Sequence, residues 1–123
     1  MSARSVATEE LSNLLGVLAH PQRIRIIEEL RSGEHDVNSL ANILQTRQSR
    51  ISQHLSLLRA HRLVKPRREG RHVYYRLASP AIAGWLIDGL RFIEAELLRD
   101  EDIHAAVEKA REVWSFDQKP RSS

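Results

Sequence analysis

Cysteine is absent from this 123-residue chain. That excludes disulfides, thiolate metal ligands and cysteine nucleophiles together, and leaves His and carboxylates as the only metal ligands to consider. No apolar run approaches the roughly 20 residues of a membrane-spanning helix, so no membrane partner is expected. The opening MSARSVATEELSNLL has no continuous apolar segment before a cleavage site. A secretory signal is therefore not expected, and a cytoplasmic location is. There is no Gly-rich phosphate loop, no nucleophile with a placed base and no pair of carboxylates beside a pocket-forming element. The chain is expected not to be an enzyme and to need no cofactor.

Acid is scarce where base is dense. Ile43 to Arg76 holds nine Arg or Lys and one acid, Glu69, whereas Glu94 to Glu112 holds seven acids and three bases. The net charge of +3 hides this division. The basic half suggests a polyanionic partner, which the acidic half would repel. The length suits a single core, and 41% apolar with 28% charged residues suits a folded, mostly helical domain.

Apolar spacing predicts the elements. A first helix opens at Thr8, with Leu11, Leu14, Leu15 and Leu18 on one face. AHPQRIRIIEELRSG predicts a second, with Pro21 in its first turn, Gly33 past its end and Ile24, Ile27 and Leu30 inward. DVNSLANIL predicts a short third helix capped by Asp36 or Asn38, with Leu40, Ile43 and Leu44 buried. Residues 46–61 predict a fourth, capped by Thr46, with Ile51, Leu55 and Leu58 as its core stripe. Alternation in HVYYRL, after an EGR turn, predicts a hairpin of Lys65–Arg68 and His72–Leu77 with Pro66 on an edge. A long fifth helix follows Ser79 and Pro80, its stripe running through Ile82, Leu86, Leu90, Ile93 and Leu97, widened by Trp85, Phe92 and Leu98. It continues, or restarts at Asp100, through DEDIHAAVEKAREVW. Residues 1–7 are expected to be a flexible lead, 8–99 the main domain, 100–115 a helical extension and 116–123 a disordered tail.

The fourth helix places polar and basic residues first and its apolar stripe later. A helix that enters the DNA major groove by its N-terminal turns needs this order: short polar side chains without negative charge in front, an anchored remainder behind. With Ile51, Leu55 and Leu58 inward, Gln48, Ser49, Ser52 and Gln53 lie outward and match base edges, while Arg47 and Arg50 sit where phosphates pass. His54, on the same helix, is a further candidate contact. In the hairpin, Lys65, Arg67, Arg68, Arg71 and His72 surround the Gly turn, as expected of a cationic wing on the DNA backbone.

The stretches LAHPQRIRIIEEL, SRISQHLSLLRAHRLV and RREGRHVYYRL resemble the ArsR/SmtB family of bacterial winged-helix repressors over about residues 9–98. The resemblance implies a mainly α winged helix-turn-helix with a small β-hairpin. It also implies a homodimer through the first and last helices, a palindromic operator in double-stranded DNA, and repression by blocking transcription. The interface expected from it is Leu11, Leu14 and Leu15 with Leu86, Leu90, Ile93 and Leu97. A fifth-helix stripe wider than one small domain can cover agrees with a dimer.

Many members of that family release DNA on binding metal. Here Asp36 and Asn38 stand where the resemblance would place cysteines, and Ser79, Ala81, Phe92 and Ala95 where it would place fifth-helix ligands, so the usual metal sites are not expected. Asp100, His104 and Glu108, four residues apart on one helical face, are the remaining metal candidates and define an alternative, a metal-responsive repressor. A protein-interaction module on the same scaffold is an alternative of another class.

Overall fold

A computed structural model of the chain describes residues 2–97 and 100–117, with side chains as far as Trp114. Two compact units result, one ending at Ala78 and the other beginning at Ser79. The first unit contains α1 (Ala3–Leu18), α2 (Pro21–Leu30), β1 (His35–Asp36), α3 (Val37–Leu44), α4 (Gln48–Ala60), β2 (Val64–Glu69) and β3 (His72–Leu77).

Helix α1 begins five residues before Thr8, so residues 3–7, expected as a flexible lead, are helical. Ser2 supplies the cap, its hydroxyl accepting from the Ser5 N–H at 3.2 Å. Pro21 takes the first position of α2, whose cap is His20; its Nδ1 accepts from the Gln22 N–H at 3.1 Å. Asp36 caps α3 by accepting from the Ser39 N–H at 2.8 Å. The core of this unit is Val17, Leu18, Ile26, Ile27, Leu30, Leu40, Ala41, Ile51, Leu55, Leu58, Val64 and Leu77. Ile24 and Leu44 are only half-buried, and Ile43, expected inside, is exposed. In a helix of eight residues, Leu40 and Ala41 define the inner face and Ile43 falls outside it.

The turn between α3 and α4 is made by Gln45 in the left-handed region, at φ 55°. This lets the Thr46 N–H reach the Ala41 carbonyl at 3.0 Å. Thr46 thus lies in the turn, one residue ahead of the cap position, and does not cap α4. Arg47 occupies the cap position without a side-chain bond, and the helix starts at Gln48. Helix α3, this turn and α4 form a helix-turn-helix.

The hairpin is one strand richer than expected. The sheet is antiparallel in the order β1-β3-β2, with His35 opposite Tyr75 and Asp36 opposite Tyr74. Glu69 faces His72, so Gly70 and Arg71 alone make the turn, and Gly70 adopts φ 60° as such turns demand. Strand β2 is an edge, which accommodates Pro66 opposite Tyr75. With the hairpin as its wing, this unit is a winged helix.

The second unit holds α5 (Ala81–Phe92) and α6 (Glu101–Asp117). The Ser79 hydroxyl accepts from the Ala81 N–H at 3.2 Å. The expected long helix is interrupted: Ile93–Leu97 is a π-helical segment, and α6 restarts at Asp100, whose Oδ1 accepts from the Asp102 and Ile103 N–H groups at 2.9 and 3.2 Å. Ala83, Ile87 and Trp114 are buried. Residues 116 and 117, expected in the tail, end α6; Leu98 and the remaining tail lie outside the described residues. Among the described residues no helix is long and apolar enough to cross a membrane.

Candidate nucleic-acid interface

Helix α4 has two unlike faces. Ile51, Leu55 and Leu58 are 0% exposed. Gln48, Ser49, Arg50, Ser52 and Gln53 are all exposed, with Arg47 just ahead of them. No acid occupies the first turn, so the free N–H groups and the positive end of the helix dipole meet no internal anion there. The Gln48 side-chain amide donates to Asn38 Oδ1 on α3, joining the two helices of the motif beside the outer face. A depression lined by Ala41, Asn42, Gln45, Thr46, Arg47 and Arg50 adjoins this turn.

His54 is not on this face. It is 8% exposed and belongs to the inner side of α4, one position before Leu55. Arg23 Nε donates to its Nδ1 at 3.2 Å, which leaves Nε2 to donate to Gln22 Oε1 at 3.0 Å. The His20 ring lies 4.5 Å away, centroid to centroid. Arg23 also donates to the Val17 carbonyl at 2.9 Å. The expected DNA contact is thus a buried polar knot that ties the end of α1 and the start of α2 to the reading helix. Burial above all, then the nearby charges of His20, Arg23 and Arg50, hold the His54 pKa below its ordinary value. Residues 20–23 were not among the expected site residues. The signal for them was the register of His54, three positions after Ile51 and four before Leu58, which places it on the core side and demands buried partners.

The wing divides its cations. Arg67 is expected on DNA, but its guanidinium is committed internally. Nε and Nη2 donate to the Glu34 carboxylate at 2.8–3.1 Å, Nη1 donates to Glu69 at 2.9 Å, and the group lies 5.1 Å from the Tyr74 ring centroid. The cross-strand register sets Arg67 opposite Tyr74 and so accounts for the ring contact. The Arg67 hydrogen bonds hold the Glu34 carboxyl below its ordinary pKa. Lys65, Arg68, Arg71 and His72 are exposed, and Lys65, Arg68 and Arg71 make no ion pair among the described residues.

Of the expected interface residues, Leu11 and Leu15 are each 50% exposed on α1 and Leu14 is half-buried. In the second unit Leu86, Leu90 and Ile93 are half-buried and Leu97 is exposed, as are Trp85 and Phe92. The metal candidates rearrange. Asp100 spends a carboxylate oxygen on capping α6, and the donor atoms that converge among the described residues are those of Glu94, His104 and Glu108.

Residues 20–65 match the family profile described as "Bacterial regulatory protein, arsR family". The chain is similar to the HTH-type transcriptional repressor SmtB of Mycobacterium tuberculosis, 40% identical over 77 residues, which are 63% of this chain and 57% of that protein. The match thus spans a little over half the length of that relative. It is also similar to the transcriptional repressor PagR of Bacillus anthracis, 34% identical over 80 residues, covering 64% of this chain and 80% of PagR. Among solved structures, NolR from Sinorhizobium fredii superposes with a TM-score of 0.64 at 36% identity, over 70% of this chain and 87% of that one.

Proposed function

The chain belongs to the ArsR family of bacterial regulatory proteins, and on that premise we propose that it is a cytoplasmic, homodimeric repressor that binds a palindromic operator in double-stranded DNA. One observation carries the reading: the front of α4 presents Gln48, Ser49, Arg50, Ser52 and Gln53 together, with no acid in its first turn, on a helix whose other face is fully buried. Gln48 and Gln53 pair with adenine edges, and Ser49 and Ser52 with bases or phosphates. Arg47, Arg50, Lys65, Arg68, Arg71 and His72 bind the backbone and supply affinity without sequence preference. The relatives named as repressors support the direction of control.

The half-exposed leucines of α1 and the apolar surface of the second unit support a dimer, because uncovered apolar area of this kind marks association. A twofold axis then sets two reading helices about 34 Å apart, one turn of DNA, and the operator acquires matching symmetry. A gel-shift titration on the protein's own promoter at several salt concentrations tests this. Tight binding whose logarithm falls steeply and linearly with the logarithm of salt is expected. A response flat in salt rejects it and favours a protein-interaction module.

A further inference from the structure

We propose that Glu94, His104 and Glu108 form a divalent-metal site, suited to Zn²⁺, within a single chain. One donor atom from each lies within 4.8 Å of the other two. A four-coordinate ion with bonds of about 2.1 Å spaces its ligand atoms about 3.4 Å apart. With Glu94 held in place, rotamer adjustment of Glu108 and His104 on α6 covers that difference. His104 and Glu108 are one helical turn apart on α6, so they project from the same face. Glu94 comes from the π-helical segment, where the widened turn departs from the register that α5 would have continued.

The charge around the trio favours a cation. Arg111 Nε donates to Glu94 Oε2 at 2.9 Å, and Glu94, Glu108 and Glu112 all act on this one guanidinium. Three carboxylates thus surround that guanidinium. The Glu94–Arg111 pair is also well shielded, with side chains 16% and 24% exposed. A carboxylate has two oxygens and about four lone-pair positions. Glu94 therefore keeps capacity for a metal while Arg111 fixes its orientation, as hydrogen-bonded neighbours of metal ligands do. One imidazole nitrogen and two carboxylate oxygens form a mixed set that suits zinc or cobalt, with water completing the sphere. Asp100 stands outside the set because its carboxylate oxygens are not among the donor atoms that converge, which are those of Glu94, His104 and Glu108. The ion would close the chain between residues 94 and 104.

The test is titration of the untagged chain with Co²⁺, read by visible d–d absorption, followed by displacement with Zn²⁺ and calorimetry. One saturable equivalent per chain is expected, with a rise in Tm on loading. His104→Gln and Glu108→Gln should each weaken binding by about tenfold or more, with unchanged far-UV circular dichroism. His61→Gln, on a residue outside the trio, should leave binding intact. Absence of saturable binding by the unmodified chain overturns the proposal, as does binding retained in both variants or lost equally in His61→Gln.

Discussion

The front of α4 and the tip of the β2–β3 hairpin are both cationic, yet different chemistry holds them in place. Helix α4 is anchored from inside. Ile51, Leu55 and Leu58 are removed from water, each contributing about 2 kcal/mol, and the His54 knot adds hydrogen bonds whose loss would leave buried groups unpaired. The wing is rooted at its base by Val64 and Leu77 in the core, but its outer part is braced from outside, by Arg67 on Glu34 and Glu69 and by the Tyr74 ring. Exposed ion pairs weaken as salt screens them over a distance of about 8 Å at physiological strength. Salt therefore weakens the outer brace of the element proposed to supply affinity and leaves the anchor of the element proposed to read sequence unchanged.

Removing the internal anchor should have the largest effect. Leu55→Ala is expected to lower stability by about 3 kcal/mol in a denaturant melt; a loss within experimental error would show that α4 is not held by its apolar face. Next come the two kinds of DNA contact. Gln53→Ala should cost about tenfold in discrimination between operator and random DNA. Arg68→Ala and Arg71→Ala should each reduce the magnitude of the logarithmic salt slope by about 0.9 and weaken binding to all sequences alike. Identical behaviour of the two classes would erase the distinction between helix and wing.

Mild acid probes the internal anchor. The folded-state pKa of His54 lies below its ordinary value of 6.5. Between the two values the unfolded chain binds more protons than the folded one, so stability rises with pH through that window and is lost as pH falls below about 6.5. Melts of the wild type and His54→Gln across mild acid should show this pH dependence in the wild type and a flatter one in the variant. The smallest effect is expected at the outer anchor. Glu34→Gln removes a partner of Arg67, so that a further guanidinium becomes available to phosphate. The salt slope should steepen by at most about 0.9, with the melt little changed; a shallower slope would mean that Arg67 matters by bracing the hairpin.

Much of this arrangement is legible in the sequence wherever one face is buried. The stripe of Ile51, Leu55 and Leu58, the turn at Gly70 and the edge position of Pro66 all follow from local spacing, and a restart at Asp100 is one of the two continuations that spacing allows. What escapes is set by contacts distant in sequence. Strand β1 is two residues long and exists through pairing with β3. Arg67 looks like one more wing cation until Glu34, 33 positions earlier, is brought beside it. His54 looks like a groove contact because it is polar, although its register placed it inside. The convergence of Glu94 with His104 depends on a π-helical segment that no periodicity announces.

Pro66 has a consequence for two chains lying side by side. It sits in the outermost strand, where it offers no N–H, with Lys65 and Arg68, exposed and without an ion pair among the described residues, close by. A neighbouring ribbon approaching that border would find a missing donor and like charges. In the proposed dimer on DNA, two wings brought close on one duplex would thereby be kept from zipping into a shared sheet, leaving each to its own stretch of phosphates.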